Sequence, residues 1–360
     1  MKKMEKCVSG PVFPRAVAAA AIIVLLLVSG CATKIKVNML QPAKYHQASL
    51  TRTVAVLPFE GKDGAAFASE LESVLASVMI GGKPYFTLVD RMSINKTLSE
   101  LQLSQSGLLD EKTASTVGRM LGAQGIYTGT VTANDASDTV TTQTRTECAQ
   151  YKILKDKDGK PYQGPCVRYV HRYVRCTDRV ASFSVAPKLV DVSTGQILYA
   201  ENLSDTARSY GCDDTGLVEA KEVLLKRVKD NVKKRFRTDI APFYTTEEIA
   251  LMNSKDMIPT KEAVEKLKQG IAFAGKDRMD RACELWEDAR TEAPDSPAIL
   301  FNLGVCAESQ GDFGTALTFY HQADRLMMKP DDNITSALKR TQKAIDNQKL
   351  LGEQLKRVKP

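Results

Sequence analysis

A 34-residue period near the C-terminus is the sequence feature that most restricts how this chain can fold. Four small or aromatic residues recur at this spacing: Gly270 as Gly304, Ala282 as Ala316, Trp286 as Tyr320 and Ala289 as Ala323. A repeat of this length forms one pair of helices, and neighbouring pairs stack to bury a continuous core. The polar, basic segment 334–358 suits a capping helix that closes such a stack. The sequence therefore predicts an all-α domain of two repeats and a capping helix over residues 261–360.

The second copy of the repeat, Leu300–Leu326, resembles the tetratricopeptide repeat along nearly its whole length. The matching motif positions are Asn302, Leu303, Gly304, Gly311, Asp312, Ala316, Tyr320 and Ala323. Members of that family hold peptides on the inner face of each first helix. The resemblance implies a partner-binding groove lined by Val264, Leu267, Ile271, Phe301, Val305 and Glu308. Packing against neighbouring elements is the alternative role for these side chains.

The N-terminal residues have the organisation of an export signal. Basic residues precede an uncharged apolar run, Ala16–Val28, whose 13 residues are too few for a membrane-spanning helix of about 20. The run ends in Val28-Ser29-Gly30-Cys31, which resembles the lipobox of bacterial lipoproteins. In that family the chain is cut before the cysteine, which then carries acyl chains such as palmitate. We expect residues 1–30 to be removed and Cys31 to be lipidated, with a plain signal peptide as the alternative.

Localisation and charge follow from this signal. Ala32 rather than Asp follows Cys31, which by resemblance to enterobacterial sorting favours the outer membrane. We expect the chain to be anchored there by lipid and to face the periplasm. Loss of residues 1–30 lowers the net charge from +7 to +4, which is too mildly basic to indicate nucleic-acid binding.

The region between the anchor and the repeats has the pattern of an α/β layer. Apolar, β-branched strands at Thr53–Phe59, Tyr85–Asp90 and Gly125–Ala133 alternate with segments of helical periodicity. A long helix follows, with apolar residues every four positions from Leu224 to Ile240 and a basic opposite face. We predict an α+β fold, with a three-layer α/β domain of mixed or antiparallel sheet over residues 51–243. A tether at 31–50 and a linker at 244–260 flank it, the latter with a short helix near Thr245–Glu248.

Two hairpins are predicted within this domain. Residues 138–183 are rich in Thr, Tyr, Val and Arg and form a long insertion with its turn near Asp158-Gly159. A second hairpin joins Ser182–Val192 to Gln196–Ala207 through Ser193-Thr194-Gly195.

Six cysteines follow Cys31, and an even number in an oxidising compartment indicates disulfides rather than a metal site. The second hairpin is centred near residue 194, and in an antiparallel pair the numbers of two facing residues add up to twice the number at the centre. Cys176 and Cys212 meet this condition, so we expect them to face each other and to form a disulfide. Cys148 and Cys166 then pair by elimination across the long hairpin. Cys283 and Cys306 lie on consecutive repeat helices, where a disulfide and a buried thiol pair are both open. No zinc-ligand spacing occurs in the sequence.

Four segments together resemble the curli production assembly/transport family, CsgG. They read TVAVLPFEG, FTLVDRMSINKTLSELQL, LGAQGIYTGTVTAND and LVDVSTGQILYAENLSDTA, and the resemblance covers roughly residues 50–240. It implies a lipidated periplasmic domain that assembles into a homo-oligomeric ring, in which two hairpins per subunit build a transmembrane pore. The same topology also resembles lipoprotein activators of penicillin-binding proteins, which form no pore.

This sequence departs from the pore-forming pattern in both hairpins. Within Val167–Arg175, Arg168 and Arg172 fall on one face and His171 and Arg175 on the other, whereas lipid-facing strands alternate apolar residues. Too few residues separate Ala207 from Leu217 for two membrane-spanning strands.

Function is therefore predicted to lie in protein binding. The sequence has no Walker loop, no G-x-S-x-G and no H-E-x-x-H, so we expect no enzyme activity, cofactor or metal. We predict a scaffold or accessory lipoprotein of envelope assembly or secretion, which binds envelope proteins through its repeats. The alternatives are a subunit of a secretion pore and an activator of a peptidoglycan synthase.

Overall fold

The structure is a computed structural model that describes residues 33–101 and 111–356. The strands are β1 (Lys34–Gln41), β2 (Thr53–Val56), β3 (Glu60–Gly61), β4 (Met79–Ile80), β5 (Lys83–Pro84), β6 (Thr87–Leu88), β7 (Gly125–Lys155), β8 (Pro161–Asp191), β9 (Ile197–Ala200), β10 (Leu203–Cys212) and β11 (Phe243–Ala250). The helices are α1 (His46–Leu50), α2 (Gly64–Ala76), α3 (Arg91–Glu100), α4 (Glu111–Leu121), α5 (Lys221–Ile240), α6 (Lys261–Ala274), α7 (Met279–Glu292), α8 (Pro297–Ser309), α9 (Phe313–Leu326) and α10 (Asp332–Leu355). The chain belongs to the α+β class, as predicted.

A mixed sheet of order β10-β8-β7-β2-β6 forms the centre of the N-terminal part. Strand β2 runs parallel to β6 and β7, whereas β8 is antiparallel to β7, β9 and β10. The two hairpins are confirmed: β7 and β8 turn between Lys155 and Pro161, and β8 pairs with β9 and β10. Gly159 takes a φ of 78° in the first turn, a conformation that glycine adopts at little cost.

Side-chain alternation along β2 produces three layers. Val54 and Val56 pack into a core with helices α2 and α5, while Ala55 and Leu57 pack with α3 and α4 on the other face. The apolar residues of α5 from Leu224 to Ile240 are buried, as their spacing predicts. Asp90 and Asp110 each precede a segment of helical periodicity, so the sequence predicts that each caps a helix. Asp90 caps α3 by accepting a hydrogen bond from the Ser93 amide at 3.1 Å, and Asp110 lies outside the described residues.

The predicted tether and linker are wrong in their secondary structure. Strand β1 lies in the former and pairs antiparallel with β11 in the latter, where a short helix was expected. The reason is a two-residue alternation that the polar composition conceals: Ile35, Val37 and Met39 are buried, while the residues between them are exposed.

Helices α6 to α10 form two antiparallel pairs and a final long helix. In each pair, a glycine on the first helix allows an aromatic side chain of the second helix to approach its backbone closely, and the two glycines occupy equivalent positions of the repeat. A Cβ atom on Gly270 would lie 2.3 Å from the Trp286 indole nitrogen, and one on Gly304 would lie 2.5 Å from the Tyr320 ring. The 34-residue period therefore reflects one packing contact made twice.

Candidate functional site

The predicted lipidation site, Cys31, lies outside the described residues, which begin at Thr33. Within residues 33–101 and 111–356, every helix is too short or too polar to cross a bilayer.

The most extended surface is the outer ribbon, defined here as residues 142–175 of β7, β8 and their turn. Strand β10 pairs with β8 only as far as Cys176, and β3 pairs with β7 only as far as Val131. No third strand of the described residues therefore borders the outer ribbon, whose strands extend for about 40 Å at about 3.3 Å per residue. Apart from the Arg175 carbonyl, which accepts a hydrogen bond from the Asp213 amide at 3.0 Å, its two edges have no strand partner among the described residues.

Ion pairs fix one face of the outer ribbon to the loop that follows β10. Arg145 and Arg172 are directly opposite each other in the strand register. Both guanidinium groups reach the Asp214 carboxylate in the loop after β10, at 3.1 and 3.7 Å. Arg172 also contacts Glu147 at 3.0 Å. This loop, which the sequence analysis did not single out, fixes the ribbon against the body of the domain.

The other face of the outer ribbon presents aromatic side chains to solvent. Tyr169 and Tyr173 are 62% and 75% exposed. His171 lies between them and hydrogen-bonds to Thr146 at 3.1 Å. Large exposed rings on a rigid strand supply contact area at low cost in conformational entropy, which is typical of protein-binding surfaces. The exposure of these tyrosines could not be predicted from the sequence, because side chains alternate with a period of two in buried and in exposed strands alike.

Residues 33–101 and 111–356 contain three disulfides. Cys176–Cys212 is buried at the base of the outer ribbon, where the two residues are directly opposite in the register. Cys148–Cys166 crosses the outer ribbon itself, and Cys283–Cys306 joins α7 to α8 with 5.8 Å between Cα atoms. These are the pairs that the sequence analysis proposed, and the last is bonded rather than a thiol pair.

Ion pairs also fix the base of the outer ribbon. Asp138 of β7 accepts two hydrogen bonds from Arg179 of β8, at 2.7 and 2.9 Å, and these lower the pKa of its carboxyl group. Asp178 is paired with Arg208 of β10, which likewise lowers the aspartate pKa. The strands that support the ribbon are thus cross-linked by charge as well as by sulfur.

The predicted peptide groove is not open, and this corrects the sequence analysis. Leu267, Phe301, Val305 and Glu308 are buried, and Val264 and Ile271 are half-buried. Strands β1 and β11 cover this face, where Ile35, Val37, Met39, Ile249 and Leu251 share a core with the repeat helices. With only two helix pairs, the concave face is small enough for one two-stranded ribbon to fill.

Asn302 holds the chain's own backbone in this covered face. Its side-chain amide accepts a hydrogen bond from the Met252 N–H at 3.0 Å and donates one to the Met252 carbonyl at 2.9 Å. Asn302 is fully buried, so both groups depend on this partner. Asn302 occupies a motif position of the repeat, but the sequence alone does not indicate this role.

No metal-binding cluster of His, Cys, Asp or Glu occurs in the part of the chain that the structure describes. The sequence contains three histidines, His46, His171 and His321, which we expect to be surface residues. His46 is instead partly buried against the C-terminal helix, and its Nε2 contacts Glu353 at 3.0 Å.

Comparison with known proteins gives one clear family match. The family model described as curli production assembly/transport component CsgG matches residues 39–218. No curated protein sequence matches this chain.

Several solved structures are similar in part. Lipoprotein GNA1162 from Neisseria meningitidis is 12% identical, with 51% of this chain and 97% of that chain covered and a TM-score of 0.25. The PelC dodecamer from Paraburkholderia phytofirmans is 13% identical, with coverage of 58% and 98% and a TM-score of 0.22. LpoB from E. coli is 13% identical, with coverage of 57% and 86% and a TM-score of 0.26. These scores are too low to carry an argument about function.

Proposed function

This chain belongs to the curli production assembly/transport component family, and from that premise we propose that it is an accessory lipoprotein of the cell envelope. It works by binding other proteins rather than by catalysis. The description of the family, as an assembly and transport component, supports this role. The family match covers half of the chain and includes the outer ribbon.

The outer ribbon is the surface proposed to bind the partner. It is largely exposed, is cross-linked by Cys148–Cys166 and carries the exposed rings of Tyr169 and Tyr173. An isolated two-stranded ribbon is only marginally stable in water. A ribbon of this length without a third strand is therefore expected to be stabilised by contact with a partner. The exposure of these two tyrosines is the observation on which the proposal mainly rests.

A pore subunit is the second candidate, because the length of the ribbon would suit it. Against it, Arg145 and Arg172 lie on one face and Arg175 on the other. An arginine facing lipid at the bilayer midplane costs about 2–4 kcal/mol. A second pair of spanning strands would also have to fit between β10 and α5, where residues 213–220 form a loop.

The anchor proposed for this protein is a lipid on Cys31, which would hold it at the outer membrane facing the periplasm. Globomycin, which blocks the lipoprotein signal peptidase, should then cause the uncut precursor to accumulate. Cys31→Ala should release the chain from the membrane fraction. Unchanged mobility with the inhibitor, together with equal membrane retention of the variant, would disprove the anchor.

Helices α6 to α10 are proposed to be two tetratricopeptide repeats and a capping helix, in a domain over residues 261–360. The matched glycine contacts at Gly270 and Gly304 support this identification. Their inner face supports β1 and β11 instead of a foreign peptide.

A homo-oligomeric ring is proposed from the same family premise. Among the free edges that the described strands leave are that of β7 beyond Val131 and that of β10. Pairing of different edges on neighbouring copies is a head-to-tail contact, which closes into a ring when the rotation per copy permits. Chemical cross-linking of the purified lipoprotein should therefore give a ladder that ends at one size.

Photo-crosslinking in intact cells tests the binding surface. A benzophenone amino acid at Tyr169 or Tyr173 should yield a discrete cross-linked product with a second protein. Tyr244 on β11 is the matched control, since it is 61% exposed and lies away from the outer ribbon. Equal products at Tyr244 and at Tyr169, or none at either ribbon position, would contradict the proposal.

A further inference from the structure

Covalent geometry places one end of the helical part next to the lipid anchor. Only Ala32 separates Cys31 from Thr33, so their Cα atoms are at most about 7 Å apart. Thr33 is itself fixed, because its carbonyl accepts a hydrogen bond from the Leu251 N–H at 2.9 Å. Wherever the acyl chains enter the bilayer, the protein surface around Thr33 must lie close to the lipid headgroups. This step rests on the lipidation of Cys31 proposed above.

The surface beside Thr33 includes the turn between α6 and α7. The Thr33 methyl carbon lies 3.2 Å from the position of a Cβ on Gly275, the residue that ends α6. The Phe273 carbonyl accepts hydrogen bonds from the amides of Lys276 and Arg278, at 2.9 and 3.1 Å. These hydrogen bonds hold the turn in one conformation, so binding to a surface would not require it to become ordered.

The side chains of this turn suit the boundary between headgroups and acyl chains. Phe273 is 37% exposed, at the last turn of α6. Lys276 is exposed and has no ion-pair partner among the described residues, whereas the exposed Lys34 at the start of β1 is paired with Glu248 at 3.9 Å. An apolar ring can enter the acyl boundary while an adjacent ammonium group stays at the phosphates.

The charges of the turn nearly balance, so the aromatic ring must carry most of the contact. Arg278 forms an ion pair with Asp280 at 2.9 Å, and the negatively charged Asp277 follows Lys276 in the sequence. We propose that the α6–α7 turn, through Phe273 and Lys276, is a second membrane contact that docks on the phospholipid leaflet holding the acyl chains of Cys31. The acyl chains of Cys31 already hold the protein at the membrane, so the role of this contact is to fix the orientation of the protein on it.

Tryptophan quenching by brominated lipids tests the contact. The chain has one tryptophan, Trp286, and it is fully buried, so it gives a constant background. Phe273→Trp is compared with Leu350→Trp, whose parent residue is 39% exposed on α10. Asn347, one turn earlier on α10, donates a hydrogen bond to the Gln41 side chain at 3.1 Å. Gln41 is at the far end of β1, about 23 Å from Lys34 at about 3.3 Å per residue.

The acylated protein is reconstituted into vesicles of phosphatidylethanolamine and phosphatidylglycerol, with and without bromine on the acyl chains. Its acylation is checked by intact mass. We expect the added fluorescence of Phe273→Trp to fall at least about twofold with brominated lipid, and that of Leu350→Trp to stay unchanged.

Three outcomes would overturn the proposal. Acylated protein in which Phe273→Trp is not quenched would remove the contact and leave the anchor intact. Equal quenching at both positions would show that the protein has no preferred membrane face. A chain that carries no acyl group and leaves both tryptophans unquenched would remove the anchor and the contact together.

Discussion

Glu308 on α8 and Arg340 on α10 form a two-point ion pair, with Nε to Oε1 at 2.6 Å and Nη2 to Oε2 at 2.9 Å. The Glu308 side chain is fully buried, and the Tyr320 hydroxyl donates a third hydrogen bond to it at 2.6 Å. The pair joins the capping helix to the second helix pair. Its members are 32 positions apart, beyond the reach of any local pattern.

Removal of the arginine should destabilise the protein strongly. Arg340→Met leaves the Glu308 carboxylate buried without its counter-charge, which costs about 3–5 kcal/mol. The free energy of unfolding in urea measures this loss. Arg281→Met is the control, because Arg281 forms only an exposed pair with Glu284 and should change stability by about 0.5 kcal/mol or less. Equal stability of the two variants would mean that the buried pair does not form.

A second prediction concerns the glycines of the repeat. Gly304→Ala should lower the free energy of unfolding by about 1–3 kcal/mol, since its Cβ would overlap the Tyr320 ring. That ring cannot retreat, because it is buried and its hydroxyl is bonded to Glu308. Gly352→Ala on α10 meets no atom within 4 Å and should instead stabilise the helix by about 0.5 kcal/mol. Thermal melts of both variants, shifting in opposite directions, would check this.

The internal repeat and the hairpin register could be predicted from the sequence. The 34-residue period located two helix pairs, and the register about residue 194 pointed to Cys176 and Cys212, which are opposite each other in β8 and β10. It missed the pairing of β1 with β11, because the residues in register, such as Ile35 and Ile249, are far apart in the chain. Each strand is also short and framed by polar residues. For the same reason it assigned Phe301 and Val305 to an open groove, since nothing local shows that a distant strand covers them.

The disulfides should differ in what they stabilise. Cys176→Ala with Cys212→Ala should lower the free energy of unfolding by about 3–4 kcal/mol, because the bond is buried and closes a loop of 36 residues. Cys148→Ala with Cys166→Ala should mainly speed hydrogen exchange in the outer ribbon, which can open locally without the core. Urea unfolding and amide exchange separate the two effects. A larger global loss from the second pair would show that the ribbon is part of the core.

A fourth prediction concerns acid stability and Asp191. Its Oδ1 accepts hydrogen bonds from Ser193 (backbone 2.9 Å, hydroxyl 2.6 Å) and from Thr194 (backbone 2.8 Å, hydroxyl 3.0 Å). These bonds, chiefly that of the Ser193 hydroxyl, lower the pKa of Asp191 below its ordinary value of 3.8. The folded state then binds fewer protons than the unfolded state, so this stability is present above that value and is lost as pH falls through the lowered pKa.

Asp191→Asn should therefore cost about 1 kcal/mol at neutral pH and progressively less in acid. Urea unfolding as a function of pH gives the difference from the wild type. Asp158→Asn serves as the control, because the Asp158 carboxylate makes no hydrogen bond within the described structure. A deficit of Asp191→Asn that stays constant with pH would show that ionisation of this carboxyl does not contribute.

Conductance tests the central claim most directly, since that claim is protein binding without a pore. Purified, lipidated wild-type protein is added to planar lipid bilayers under voltage. The arginines on both faces of the outer ribbon make its insertion into lipid unfavourable, so we predict no stable channels. Reproducible single-channel steps from the wild type would contradict this account and establish the pore.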